Sequence, residues 1–449
     1  MFTRQAINDL ERWRVTPYRQ PLVVRGARQV GKTTLVNEFG KRFDGYIYLN
    51  LEEDSRAREI LEMDVELDIK IGMLYAIKGV PRNNQETLFF IDEIQNSPKT
   101  ITLLRYFYEH YPQLHVIAAG SLLENVVDMS VSFPVGRVQY MSVRPYSFKE
   151  FLGALGRSSE YEMITQRPEL SLPLHQSFMA LFNQYVVVGG MPRAVARYVD
   201  LRDVLALDDV YSTLLTAYRD DVEKYVSKSK LKTVVRHILQ YGWGLAGDTI
   251  TLGRFAGSQY NAREVQEAFS LLRKAMLAEL AYPTTSTRLP ALPQMRRMPK
   301  LLWLDTGLVN FAAAIRREVI TARDVMDVWR GRIAEHVVAQ ELLALTPDVN
   351  ASRLFWVKGN GGANSAEVDF VLQMDGVLVP IEVKSGHNSH LRSLHSFVDA
   401  SDVAVAVRVW SQPFSVDDVF TTIHHKPFRL LNVPFYLLGE LPSIIQAHL

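Results

Sequence analysis

Gly26-Ala27-Arg28-Gln29-Val30-Gly31-Lys32-Thr33 fits the pattern G-x-x-x-x-G-K-[ST] at every fixed position. The apolar run Leu22-Val23-Val24 precedes it, and Thr34-Leu35-Val36-Asn37-Glu38-Phe39 reads as a helix behind it. Strand, glycine-containing loop and helix in that order are the context in which this motif holds phosphate instead of simply turning the chain. The glycines let backbone N–H groups close around phosphate oxygens at a helix N-terminus, where the dipole favours anions. That assigns Gly26 through Thr34 to the phosphates, the Lys32 ammonium to the β- and γ-phosphates and the Thr33 hydroxyl to Mg²⁺. The expected ligand is a nucleoside triphosphate, ATP with Mg²⁺.

A second stretch adds chemistry to that cradle. Leu88-Phe89-Phe90-Ile91-Asp92-Glu93 is an apolar strand ending in two carboxylates, as expected of a parallel strand covered on both faces. Open α/β sheets bind ligands at the carboxyl ends of their strands. Asp92 is the expected Mg²⁺ holder and Glu93 the group that polarises the attacking water. Downstream, His115-Val116-Ile117-Ala118-Ala119 leads into Gly120-Ser121, which makes Ser121 a candidate sensor of the γ-phosphate. A further strand is read at Gly136–Val143, with Arg137 just ahead of it. A cation there would stabilise charge on a γ-phosphoryl group. If Arg137 serves a neighbouring subunit, the protein must be a homo-oligomer.

The bulk properties bound the answer. At 449 residues the chain exceeds one core, and several domains are expected. A net charge of +1 gives no overall pull toward nucleic acid, so such binding must come from local patches. With no cysteine, disulfides and cysteine-held zinc are excluded, in keeping with a cytoplasmic setting. No apolar stretch reaches membrane-spanning length, so no membrane partner is expected.

From about Pro145 the pattern becomes helical, with apolar faces on Phe148, Phe151 and Leu152 and on Phe178, Leu181, Phe182, Tyr185 and Val186. Gly189-Gly190-Met191-Pro192 interrupts them. A similar turn packs near the adenine in the lids of nucleotide switches, which makes Pro192 a nucleotide-contact candidate, with Arg193 beyond it. Farther on, Leu252–Ala256 and Ala262–Leu272 read as two short helices joined by Gly257–Asn261, and Leu301–Leu304 as the strand of a wing. Arg263, Arg273, Lys274, Arg288, Arg296, Arg297 and Lys300 give this part a basic bias. DNA phosphates would need such a bias, and a protein–protein spacer is the other reading.

Near the C-terminus, Glu367-Val368-Asp369-Phe370 and Glu382-Val383-Lys384 flank an Asp375-Gly376 turn. Residues two apart on a strand share a face, so Glu367 goes with Asp369 and Glu382 with Lys384, and the turn folds both strands into a hairpin. Glu335, on a helix opening at Gly331, is a third acid. Glu335, Asp369 and Glu382 are the expected ligands of a second metal, and Lys384 the accompanying catalytic lysine, in a set able to orient water for phosphodiester attack.

Together these residues give the chain a resemblance to bacterial and archaeal AAA-type ATPases that carry a C-terminal restriction-endonuclease-like domain of unknown function. Besides the loop and Asp92-Glu93, the resemblance rests on Gly120-Ser121, Gly136-Arg137, Tyr185…Gly189-Gly190-Met191-Pro192, Lys300…Asp305-Thr306-Gly307-Leu308 and the D…E-x-K set. Ser171–Leu174 departs from the regular lid pattern. The resemblance implies an α/β multidomain protein. Its parts are a P-loop AAA-type ATPase core (1–147), a helical lid (148–225), a winged-helix middle domain (226–312) and a C-terminal α/β restriction-endonuclease-like domain (325–449). Two functions follow. One is ATP hydrolysis coupled to DNA processing by a metal-dependent nuclease. The other is an ATP-driven switch or scaffold whose nuclease-like domain only binds a partner.

Overall fold

The computed structural model describes residues 2–83, 86–120, 136–224, 229–321, 331–359, 366–384 and 391–449. Its N-terminal part is built on β1 (Leu22–Arg25), β2 (Gly45–Asn50), β3 (Thr87–Asp92), β4 (His115–Ala119) and β5 (Gln139–Ser142). They pair all-parallel in the order β2-β3-β4-β1-β5. β3 and β4 are buried along their whole length, which is why their sequences are unbroken apolar runs instead of alternating ones. Leu88 and Phe90 face one core while Phe89 and Ile91 face the other. The carboxyl ends of β1 and β3, flanking β4, therefore open on the same edge, with the helix Lys32–Gly40 rising from the loop after β1.

Helices carry the chain from Phe148 to Lys224, with Pro168–Leu174 tightened into a 3₁₀ segment. The next part corrects the expected helix pair. Ala262–Lys274 is a helix with an Asn261–Glu264 capping box. Leu252–Ala256 is not a helix, because Arg254 and Ala256 are left-handed (φ 56° and 49°) and only Phe255–Gly257 makes a 3₁₀ turn. The helix that packs with Ala262–Lys274 is Ser229–Tyr241. After it, β6 (Ala278–Ala281) pairs antiparallel with β8 (Lys300–Trp303).

β7 (Pro283–Thr284), lying between those two strands in sequence, joins a different sheet. That seven-stranded sheet runs β13-β14-β12-β11-β10-β9-β7. Its other strands are β9 (Leu354–Val357), β10 (Glu367–Met374), β11 (Val377–Val383), β12 (Val405–Trp410), β13 (Ser415–Phe420) and β14 (Pro427–Pro434). β10 and β11 form the expected hairpin, Met374 opposite Val377, with both turn residues at positive φ (Asp375 44°, Gly376 82°). This is the geometry of a two-residue turn that matches strand twist. The helix Arg332–Ala344 lies against β8, β11 and Phe435–Glu440. Among the described residues no helix is long and apolar enough to cross a membrane.

Candidate functional site

Gly31, at φ 91°, begins the Lys32–Gly40 helix in a left-handed conformation that most residues avoid. The turn it makes aims the first backbone N–H groups of the helix toward the loop. Lys32 Nζ lies 2.9 Å from the Gly26 carbonyl and 3.1 Å from that of Ala27. Burial pushes its pKa down, against the pull of Glu93 and Asp92. Across the cleft the Thr33 hydroxyl donates to Asp92 Oδ2 at 2.7 Å, and the Tyr48 hydroxyl reaches the same oxygen at 3.3 Å. Two hard oxygens from separate elements thus meet, the donor chemistry Mg²⁺ takes. Glu93 stands beside them in a left-handed backbone (φ 52°) rare for a glutamate. Such strain concentrates at functional sites. Burial raises its pKa, and Gln95 holds its carboxylate by a hydrogen bond, a setting suited to a base.

Several partners of this cleft had no signature in the sequence. The Arg28 guanidinium pairs with Asp221 at 2.6 Å, and the Tyr218 hydroxyl donates to the Arg28 carbonyl at 3.0 Å. Both come from the helix Asp208–Lys224, so the helical segment grips the phosphate loop directly. Arg4, buried near the N-terminus, donates to the Val30 and Arg144 carbonyls and to Glu150. Pro192 begins the helix Pro192–Leu201, and a Cβ on Gly31 would meet its ring at 3.6 Å. Arg193 is exposed. Ser121 lies outside the described residues. Arg137 is not near its own phosphate loop. The strand after it enters beside Leu22, at the opposite end of β1 from the loop, and its guanidinium pairs with Glu109 at 3.1 Å.

The turn before Pro192 connects the cleft with the rest of the molecule. The Gly190 N–H donates to Asp305 Oδ2 at 2.5 Å, and its carbonyl accepts from Tyr146 at 2.6 Å. Asp305, fully buried, also caps Leu308, and burial pushes its pKa up to about 6. Next to it, Thr306 donates to Gln340, whose amide donates to the Tyr185 hydroxyl. Tyr185 in turn donates to Glu341 at 2.7 Å, which also accepts from the Phe148 N–H. Burial pushes Glu341 up to about 7. Because its folded value lies above the unfolded one, its contribution to stability is complete below about pH 4.5 and is lost as pH rises to about 7. Glu341→Gln keeps the acceptor without the charge. Over that window the variant should lose less stability than the wild type, by a few kcal/mol. Urea unfolding at stepped pH measures this, and parallel profiles would contradict it.

At the C-terminal sheet the expected set is only partly assembled. Glu382 is buried and meets Lys384 at 2.8 Å, and Asp369 accepts from the Val383 N–H at 2.8 Å. Burial, then Asp369, pushes Glu382 up to about 8, and the same causes push Glu335 up to about 7. Yet the cation shared by the acids comes from β8. Lys300 Nζ lies 2.8 Å from Glu367, 3.2 Å from Glu335 and 3.7 Å from Asp369. This corrects one expectation. Lys300 is 5% exposed, so it is not a surface cation for DNA. Glu335 and Asp369, with Glu367, meet on Lys300 Nζ, and among the described residues no group of three acidic or histidine side chains is placed to hold a metal as it stands.

Residues 18–152 match the family model described as an AAA domain. Residues 179–319 and 330–425 match two domains of unknown function, DUF8612 and DUF4143. No curated protein matches the chain. Among solved structures, the Walker-type ATPase PABY2304 of Pyrococcus abyssi is similar at 14% identity and a TM-score of 0.44, covering 70% of this chain and 96% of that one. The Orc1 protein of Aeropyrum pernix, solved in complex with DNA, is similar at 15% identity and a TM-score of 0.29, covering 71% and 92%. Cdc6p of Pyrobaculum aerophilum follows at 12% and 0.25, covering 70% and 93%. The parallel sheet, the phosphate loop and the family match agree: this chain carries an AAA-type P-loop ATPase domain over residues 18–152.

Proposed function

We propose that the protein is an ATP-driven switch: ATP is hydrolysed at the Lys32–Asp92–Glu93 cleft, and the state of that cleft is passed to the C-terminal sheet. The observation that carries this reading is the 2.7 Å approach of Thr33 to Asp92 with Glu93 beside them. Thr33 and Asp92 would hold Mg²⁺, which when bound neutralises charge on the β- and γ-phosphates. Lys32 binds the same oxygens, and Glu93 orients a water and takes its proton. Arg28 with Asp221, and Pro192 behind Gly190, tie the loop to the helical segment. From there Asp305, Gln340 and Glu341 lead to the helix Arg332–Ala344. Arg137, at the far end of the sheet, would serve only a neighbouring copy's nucleotide.

For the C-terminal part we favour partner binding on a restriction-endonuclease-like frame over DNA cleavage. Three of the seven basic residues that suggested DNA are paired within the chain. Lys300 is buried among acids, Arg288 pairs with Asp402 at 2.8 Å and Arg297 donates to the Gly359 carbonyl. The DNA-processing reading keeps one support, the close Glu382–Lys384 pair. One experiment addresses both halves: phosphate release by the purified chain with Mg²⁺ or with chelator, in the presence of labelled single- and double-stranded DNA. Metal-dependent release over intact DNA is expected. No release would end the switch reading, and DNA cleavage lost in Lys384→Ala would restore the nuclease.

A further inference from the structure

Lys300 reaches into the acids that the sequence marks as metal ligands, within 3.2 Å of Glu335 and 3.7 Å of Asp369. Its backbone is fixed from both sides: Lys300 pairs with Ala281 in the β6–β8 ladder and bridges to Thr249, and the next residue, Leu301, donates to the Asp248 carbonyl. From that anchor the side chain enters the acids, passing 4.9 Å over the Phe355 ring. An ammonium offers three donors and no acceptor. Glu335, Glu367 and Asp369 surround this one. We infer that Lys300 is the resident cation of this cluster, and that while it is seated the chain takes no divalent metal there.

A divalent metal and Lys300 would compete for the same oxygen atoms. Mg²⁺ needs a near-octahedral set of oxygens at about 2.1 Å. Glu335, Glu367 and Asp369 would have to release Lys300 to supply them. Expelling the lysine would leave its ammonium buried without a partner, a costly state. Glu382 Oε2 is buried without a hydrogen-bond partner among the described residues, and one leftover oxygen falls short of such a set. In sequence the lysine lies in the segment before the acids, outside the E-x-K motif, so the motif looks complete while its metal position is filled from elsewhere. The inference deepens the partner-binding reading and rests on it only for the C-terminal part. It does not depend on ATP hydrolysis, and its test is run without nucleotide.

The test is Mn²⁺ titration of the nucleotide-free full chain, followed by electron paramagnetic resonance of free Mn²⁺. Wild type and Asp369→Asn should take up Mn²⁺ alike. Lys300→Met should gain one site, at least about tenfold tighter than any in the wild type once a neighbouring positive charge is gone. Lys300→Met/Asp369→Asn should lose it. A wild-type site that Asp369→Asn abolishes would overturn the inference, as would a folded Lys300→Met with no new site. Should Lys300→Met fail to fold, the wild-type and Asp369→Asn comparison decides alone. A failed Mn²⁺ prediction leaves phosphate release untouched, so the two readings fall separately.

Discussion

Replacing Glu93 with glutamine is expected to slow ATP turnover by about 10²- to 10⁴-fold, the usual contribution of a positioned general base, while nucleotide binding stays near the wild-type level. The amide is nearly the same shape and can still hydrogen-bond Gln95, so the left-handed turn at Glu93 should survive. What disappears is the ability to accept a proton from water. The raised pKa of Glu93, caused by burial, makes it a better proton acceptor than an exposed carboxylate. Thr33, Asp92 and Lys32 are untouched, so the phosphates and Mg²⁺ should bind as before. Phosphate release and nucleotide affinity, measured on one preparation, separate the two effects. Equal turnover in the variant would remove Glu93 from the chemistry, and equal loss of both quantities would make its role structural.

Gly190→Ala should damage the fold severely. The new Cβ would overlap the Tyr146 carbonyl oxygen and lie 2.8 Å from the Tyr146 nitrogen. Both are backbone atoms and cannot rotate away. The same residue donates to Asp305 and accepts from Tyr146, so relief of the clash breaks hydrogen bonds buried in the interior. Overpacking typically costs about 1–3 kcal/mol, and each orphaned buried partner adds about 1–3 more. Gly244→Ala is the control, since a Cβ there meets no atom within 4 Å. Urea midpoints compare them. A large fall for Gly190→Ala with little change for Gly244→Ala is expected, and equal midpoints would show that the turn is not gripped as described.

The parts of the site legible in the sequence are those carried by consecutive residues. Gly26–Thr33, the acids ending β3 and the Asp375-Gly376 turn each hold their geometry within a few residues. What escaped the sequence is long-range pairing. Arg28 meets Asp221 at a separation of 193 residues, and Arg4 meets Glu150 at 146. No local pattern marks either. Lys300 looked like one more exposed base because its burial depends on acids contributed by a helix and a strand far along the chain. The misread helix at Leu252–Ala256 had suitable apolar spacing, but spacing cannot show that Arg254 and Ala256 turn left-handed.

In the proposed site a triphosphate with Mg²⁺ sits between Lys32 and the acids of β3. Calorimetric titration of the chain with a slowly hydrolysed ATP analogue tests it most directly, with Mg²⁺ and with chelator, beside Lys32→Ala. Uptake of one nucleotide per chain, strengthened by Mg²⁺ and lost in Lys32→Ala, is expected. No uptake by the wild type, or uptake indifferent to Lys32, would contradict it.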